Sequence, residues 1–239
     1  KKKAAARKMA RLRRHLLAVA AVVGLAASLG IAWVVLTWPD VASLASQRPE
    51  TTAFIERARA DDGHIQWQWV ESDAISRHLK KAVVSAEDMS FFSHNGFDTH
   101  EIKVAARDAV RGKRVRGAST ITQQLAKNLW LSPSRSPMRK MKEVVLTRQL
   151  ERHLSKRRIL EIYLNVVQFG PGIYGAEAGA QTYFGIPAAK LEPEQAAELA
   201  AGLPRPSSWH PGVESRGYRR SVARILARME QVDWMDKLL

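Results

Sequence analysis

From Leu16 to Trp38 the chain runs for 23 residues without a charge, LLAVAAVVGLAASLGIAWVVLTW. As a helix rising about 1.5 Å per residue, such a stretch covers about 35 Å, enough for a hydrocarbon core about 30 Å thick. A cleaved signal peptide would carry a shorter apolar region, about 7–15 residues. A buried core helix would rarely be uncharged on every face. The pattern therefore predicts a transmembrane helix over 16–38, behind a basic tail over 1–15 that stays cytoplasmic. Residues 39–64 are polar with isolated apolar positions and read as a membrane-proximal stalk, with a folded domain over 65–239.

Beyond the stalk, Ile65, Trp67 and Trp69 alternate with His64, Gln66 and Gln68, the period of a half-buried strand. After Ser72, a candidate N-cap, Ile75, Leu79 and Val83 recur at four-residue spacing, one face of a helix. A second helix is expected from Ser119 or Thr120 with Ile121, Leu125 and Leu129 on one side. Pro137 suits the first turn of a third, with Leu146, Leu150 and Leu154 inward. Further helical stretches are predicted around Lys156–Asn165, Glu177–Phe184, Pro193–Leu203 and Tyr218–Glu230. Strand signals are few, so the expected fold class is mainly α.

Charge changes this picture in one place. The formal net charge is +15, which could suggest nucleic acid as a partner. Its distribution argues against that. The tail over 1–14 holds eight basic residues and no acid, and residues 111–158 carry fourteen Lys and Arg against Glu143 and Glu151, leaving the remainder mildly acidic. A domain outside the cytoplasm does not meet the genome, so the fitting anionic partners are lipid headgroups or a phosphorylated lipid substrate. The sequence has no cysteine, which removes disulfides and thiolate metal sites.

Two carboxylates stand out by position. Glu87 continues the row Ile75, Leu79, Val83, and Glu143 heads the row Leu146, Leu150, Leu154. An acid on an apolar helix face costs free energy unless it is paired, and is a candidate for acid–base work or for a structural ion pair. Between them lies GASTITQQLAKN, offering hydroxyls and amides at a helix start where backbone donors favour an anion. Lys127, Arg135, Arg139, Lys140 and Lys142 add charge suited to a diphosphate, or equally to a solvated or lipid-facing basic surface.

These segments resemble the family 51 peptidoglycan glycosyltransferases, closest to the monofunctional biosynthetic type. AEDMSFFSHNGFD (86–98), GASTITQQLAKN (117–128), RKMKEVVLTRQLERHLSKRRILEIYLN (139–165), QFGPGIYGAEAGAQTYFG (168–185) and EQAAELAAGLPRPSSWHP (194–211) are similar to the family's five motifs, in order. The resemblance implies a lysozyme-like, two-lobed, mainly α catalytic domain behind one transmembrane helix. It implies lipid II and the growing glycan chain as substrates, at the outer face of a bacterial inner membrane with the catalytic domain periplasmic. Glu87 would be the general base and Glu143 the second acid, orienting cations and leaving a place for a divalent ion (Mg or Mn) at the diphosphate. Ser119, Gln123, Gln124, Lys127, Arg135, Arg139 and Lys142 would contact substrate. Partners beyond substrate and membrane would be cell-wall synthesis or division proteins, and not nucleic acid. Gly179 stands where the family usually has Ala, and no transpeptidase region follows the last motif. A lysozyme-like lytic enzyme and a non-catalytic membrane scaffold are the competing readings.

Overall fold

Most helix starts are set by a hydroxyl or carboxylate that accepts an otherwise unpaired backbone N–H. Thr52, Ser76, Asp98, Thr120, Ser136, Ser155 and Ser215 each cap a helix in this way. The computed structural model describes every residue except Lys1, Asp62, 113–116, Ala118 and Arg135. Its chain divides into two units, 1–40 and 41–239.

The first unit is one helix, α1 (Lys2–Leu36). Within it Arg13–Leu36 is long and apolar enough to cross a membrane. Leu16, Leu17, Val22, Leu25 and Leu29 are all exposed, the state expected of side chains whose cover is lipid rather than protein.

The second unit contains α2 (Ala53–Ala60), β1 (Gln66–Trp67), α3 (Arg77–Glu87), α4 (Thr99–Val110), α5 (Ile121–Trp130), α6 (Pro137–His153), α7 (Lys156–Val166), β2 (Gln168–Gly170), β3 (Ile173–Tyr174), α8 (Ala176–Phe184), α9 (Pro193–Gly202) and α10 (Arg216–Met229). One helix group packs α3 against α9 and α10, and another packs α5 against α6, α7 and α2. The mainly α architecture is as expected. A small sheet in the order β1-β3-β2 lies beside them, β1 running parallel to β3. Asn165, fully buried on α7, pins β1 to the helices. Its side chain bonds both backbone groups of Val70, and its carbonyl accepts the Trp67 indole N–H at 2.8 Å. Gly175, at φ +85°, brings its backbone so close to Asn165 that a Cβ would sit 2.7 Å from the Asn165 carbonyl oxygen.

Three expectations need correction. The stalk is part of the compact second unit from Val41 onward. Ile55 of α2 is fully buried, and the Arg158 guanidinium bonds the carbonyls of Leu44 and Gln47. Isolated apolar residues in a polar stretch hid this, because one buried face of an eight-residue helix needs few of them. The cap of α3 is Ser76, not Ser72, which opens a single 3₁₀ turn, and Ile75 is buried but extended. Finally, the apolar pattern does not predict α4. This helix buries no residue, so it carries no apolar row to detect.

Gly179 is buried inside α8, and a Cβ there would meet Phe169 Cβ at 3.4 Å and Leu199 Cδ2 at 3.5 Å, ordinary contacts. Gly179→Ala should therefore stabilise the domain by about 0.5–1 kcal/mol. Gly175→Ala should destabilise it by more than about 1 kcal/mol, since strain at positive φ adds to the clash. Thermal unfolding of the detergent-solubilised full chain checks both, and equal effects of one sign would contradict the packing described.

Candidate active site

Glu87 is the last residue of α3, where the helix stops because Asp88 turns to φ −162°. Asp88 is buried and braces this end. Its carboxylate accepts the Ile121 backbone N–H at 3.0 Å and bonds His94 Nε2 at 2.9 Å. Thr120 adds a second brace by donating its hydroxyl to the Gly96 carbonyl at 2.7 Å. The end of α3 is thereby fixed against the start of α5, and Gln124, on the first turn of α5, meets Glu87.

Gln124 Nε2 donates to Glu87 Oε2 at 2.7 Å, and Gln124 Oε1 accepts from the Tyr163 hydroxyl at 2.8 Å. Burial pushes the Glu87 carboxyl above its ordinary range, and the neighbouring Asp88 adds to this. The Gln124 hydrogen bond and the Lys127 charge pull the other way. Lys127, one turn further along α5, is shifted down, first by burial and then by Arg139 and Lys140, against the pull of Glu143 and Glu87. Its ammonium lies 5.5 Å from the centre of the Phe54 ring. Both shifts run toward the neutral forms, because burial disfavours either charge, and each group's charge pulls the other back toward its ionised form.

Glu143 is 3% exposed, and its two oxygens are taken by Arg139, at 2.6 Å, and Lys140. It is the ion-pair partner that its place on an apolar face allowed. Arg139 Nε is buried without a hydrogen-bond partner among the described residues. Among the described residues no three His, Asp or Glu side chains converge as metal ligands. With both its oxygens occupied, Glu143 does not fit a divalent ion unaided.

Two cavities meet at Glu87. One, of about 650 Å³, is lined also by Pro204, Trp209, Ser221, Arg224 and Arg228. The other, of about 570 Å³, is lined by Ser90, Asp98, Ser119 and Thr120, with the same two arginines.

The expected site residues therefore divide. Glu87, Gln124 and Lys127 come together on α3 and α5, and Glu143 and Arg139 join them through Lys127. Ser119 is exposed on the wall of the smaller cavity. Gln123 does not face the cleft as a substrate contact: its Oε1 accepts the Thr120 N–H at 3.0 Å and completes the capping box of α5. Lys142 is half-buried on α6. Arg135 lies outside the described residues. Sequence reading missed Arg224 and Arg228, which face Glu87 from α10; Arg228 also bonds the Ser85 carbonyl at 3.0 Å. Their four-residue spacing on a helix was the available signal.

Residues 52–230 match the family model described as Transglycosylase, a span that begins at the cap of α2. The chain is 50% identical over 196 residues to a biosynthetic peptidoglycan transglycosylase of Alcanivorax borkumensis, covering 82% of this chain and 78% of that one. It is 47% identical over 203 residues to the protein of the same name from an Azoarcus species, covering 82% and 84%. A third, from Thiobacillus denitrificans, is 46% identical over 205 residues, covering 83% and 86%. With three-quarters of its length under one family model and relatives of this closeness, the chain belongs to the transglycosylase family.

Proposed function

We propose that this protein is a peptidoglycan glycosyltransferase that polymerises lipid II into β-1,4-linked glycan. The acceptor's 4-hydroxyl oxygen would attack C1 of the donor sugar with inversion. The C1–oxygen bond to the diphosphate breaks, undecaprenyl diphosphate leaves with the bonding electron pair, and the hydroxyl proton passes to Glu87. The observation that carries this reading is Glu87 itself: a half-buried carboxylate at the junction of two cavities, held by one oxygen and not neutralised by a direct ion pair among the described residues.

A general base must be ionised before attack and within reach of the proton. The Gln124 bond and the Lys127 charge favour the ionised form and leave Oε1 for the hydroxyl. Negative charge grows on the departing diphosphate, where preorganised cations lower the barrier most. Lys127 and Arg139 are suited to this, since Glu143 holds the Arg139 guanidinium in place. Arg135 and Lys142 belong to the same proposed diphosphate group, and Ser119 to the sugar contacts. A lytic enzyme would expel no diphosphate and would gain nothing from this cation set. No step here uses a divalent ion.

The apolar helix α1 and the names of the relatives support a membrane-anchored enzyme. The basic tail before it favours an orientation with that tail in the cytoplasm and the catalytic domain outside, at the inner membrane.

Glu87→Gln retains size and hydrogen bonding but accepts no proton. Polymerisation of labelled lipid II by the solubilised protein should fall at least about 10²-fold, with lipid II binding and thermal unfolding close to the parent's. The parent's product should be digestible by lysozyme. Near-parental polymerisation by the variant would remove Glu87 from the mechanism and leave Glu143 as the acid to test. For topology, a reporter active only outside the cytoplasm should be active when fused after Leu239, and activity of a cytoplasm-only reporter there would overturn the orientation.

A further inference from the structure

Tyr163 is fully buried on α7, and its hydroxyl is the innermost member of a chain that ends at the cleft. The phenol donates to Gln124 Oε1 at 2.8 Å, and the amide nitrogen of the same side chain donates to Glu87 Oε2 at 2.7 Å. Three helices contribute one link each: α7, α5 and the end of α3.

A primary amide can be turned over with almost no change in shape, exchanging its oxygen and nitrogen. Turned over, Gln124 would place its carbonyl oxygen against Glu87, an arrangement that only a protonated carboxyl can satisfy. The choice between the two is made at the inner end. Burial, reinforced by the Glu87 and Asp88 charges, pushes the Tyr163 phenol far up and keeps it neutral, so it has a proton to donate. A phenol can also accept, but the buried Tyr163 proton has no other acceptor among the described residues, so it goes to the amide oxygen and the NH₂ group is left for Glu87.

We propose that Tyr163 is a positioning residue for glycosyl transfer: by donating to Gln124 Oε1 it holds the amide with NH₂ toward Glu87, and so favours the ionised carboxylate that receives the acceptor's proton. The inference rests on Glu87 being the base. It assigns work to a hydroxyl that touches no substrate, and it separates that work from packing, since phenylalanine would fill the same space.

Other charges reach Glu87 from every side. Asp88 follows it in the chain, Lys127 approaches from α5, and Arg224 and Arg228 from α10. Asp98 and Glu101, at the start of α4, line the smaller cavity. Tyr163→Phe alters none of these, so a change in the titration of Glu87 in that variant reports the amide.

The test is the pH dependence of kcat/KM for lipid II polymerisation by the full chain in detergent. It compares the parent, Tyr163→Phe, Gln124→Met, the double variant and Glu87→Gln. A carboxylate that loses a donor is harder to ionise, so the ascending limb should move to higher pH in Tyr163→Phe. The shift should be about one pH unit, roughly tenfold in rate at a fixed pH on that limb, with the plateau less affected. Gln124→Met should move the limb at least as far, and the second substitution should add nothing in its background. The position of a limb does not depend on how much of the sample is folded, so a less stable variant is still informative. A limb unmoved in Tyr163→Phe, or additive shifts in the double variant, would overturn the proposal. If Glu87→Gln abolishes the limb while Tyr163→Phe leaves it in place, the base assignment stands and the role of Tyr163 falls. If Glu87→Gln keeps the limb, the base assignment fails and takes this inference with it.

Discussion

A carboxylate half withdrawn from water must still be able to lose its proton, and the catalytic domain is arranged around that constraint at Glu87. Burial alone favours the neutral acid. Two groups on α5 oppose it: the Gln124 amide by a direct hydrogen bond and Lys127 by its charge. Both act only because α5 starts where α3 ends, and the Asp88 carboxylate makes that junction by accepting the first N–H of α5. The neighbouring acid of the pair thus serves the backbone while Glu87 serves the cleft.

The same constraint explains why Glu143 is buried with two cations and not free. Lys127 is itself partly desolvated, which drives it toward the neutral amine. The nearby Glu143 charge restores some of the preference for the ammonium form, and it fixes the Arg139 guanidinium beside it. Breaking such a buried pair leaves an uncompensated charge, so Glu143 supports both the fold and the cation set. Of the two readings open when only the sequence is considered, these contacts show the structural ion pair. A lipid-facing basic surface accounts for exposed residues such as Lys140, but not for Arg139, whose Nε is buried and unpaired among the described residues.

Much of this is legible in the amino-acid sequence. Helix periodicity placed α5, α6 and α7 closely, because each buries a continuous apolar row and starts at a side-chain cap. The rows also pointed to Glu87 and Glu143 as acids on apolar faces. Elements that bury little were illegible: α4 buries no residue, and α2 is held by Ile55 and few others. Gln123 and Gln124 were indistinguishable in sequence, being adjacent and chemically identical. Only the 100° turn between them decides that one closes the capping box of its own helix and the other reaches Glu87. For Arg224 and Arg228 the four-residue spacing marks a shared helix face, but not that α10 packs on α3, and their place at the cleft depends on that packing.

The claim most open to direct measurement is that Glu87 titrates above an ordinary carboxyl while remaining ionised near neutral pH. Infrared difference spectra between the parent and Glu87→Gln proteins, taken across a pH series, isolate the carboxyl band of this one residue. The account expects a protonated-carboxyl band that grows in as the pH falls through a value above the ordinary 4.5 and that is absent at neutral pH. A band that appears only at or below 4.5, or one that persists at neutral pH, would contradict it.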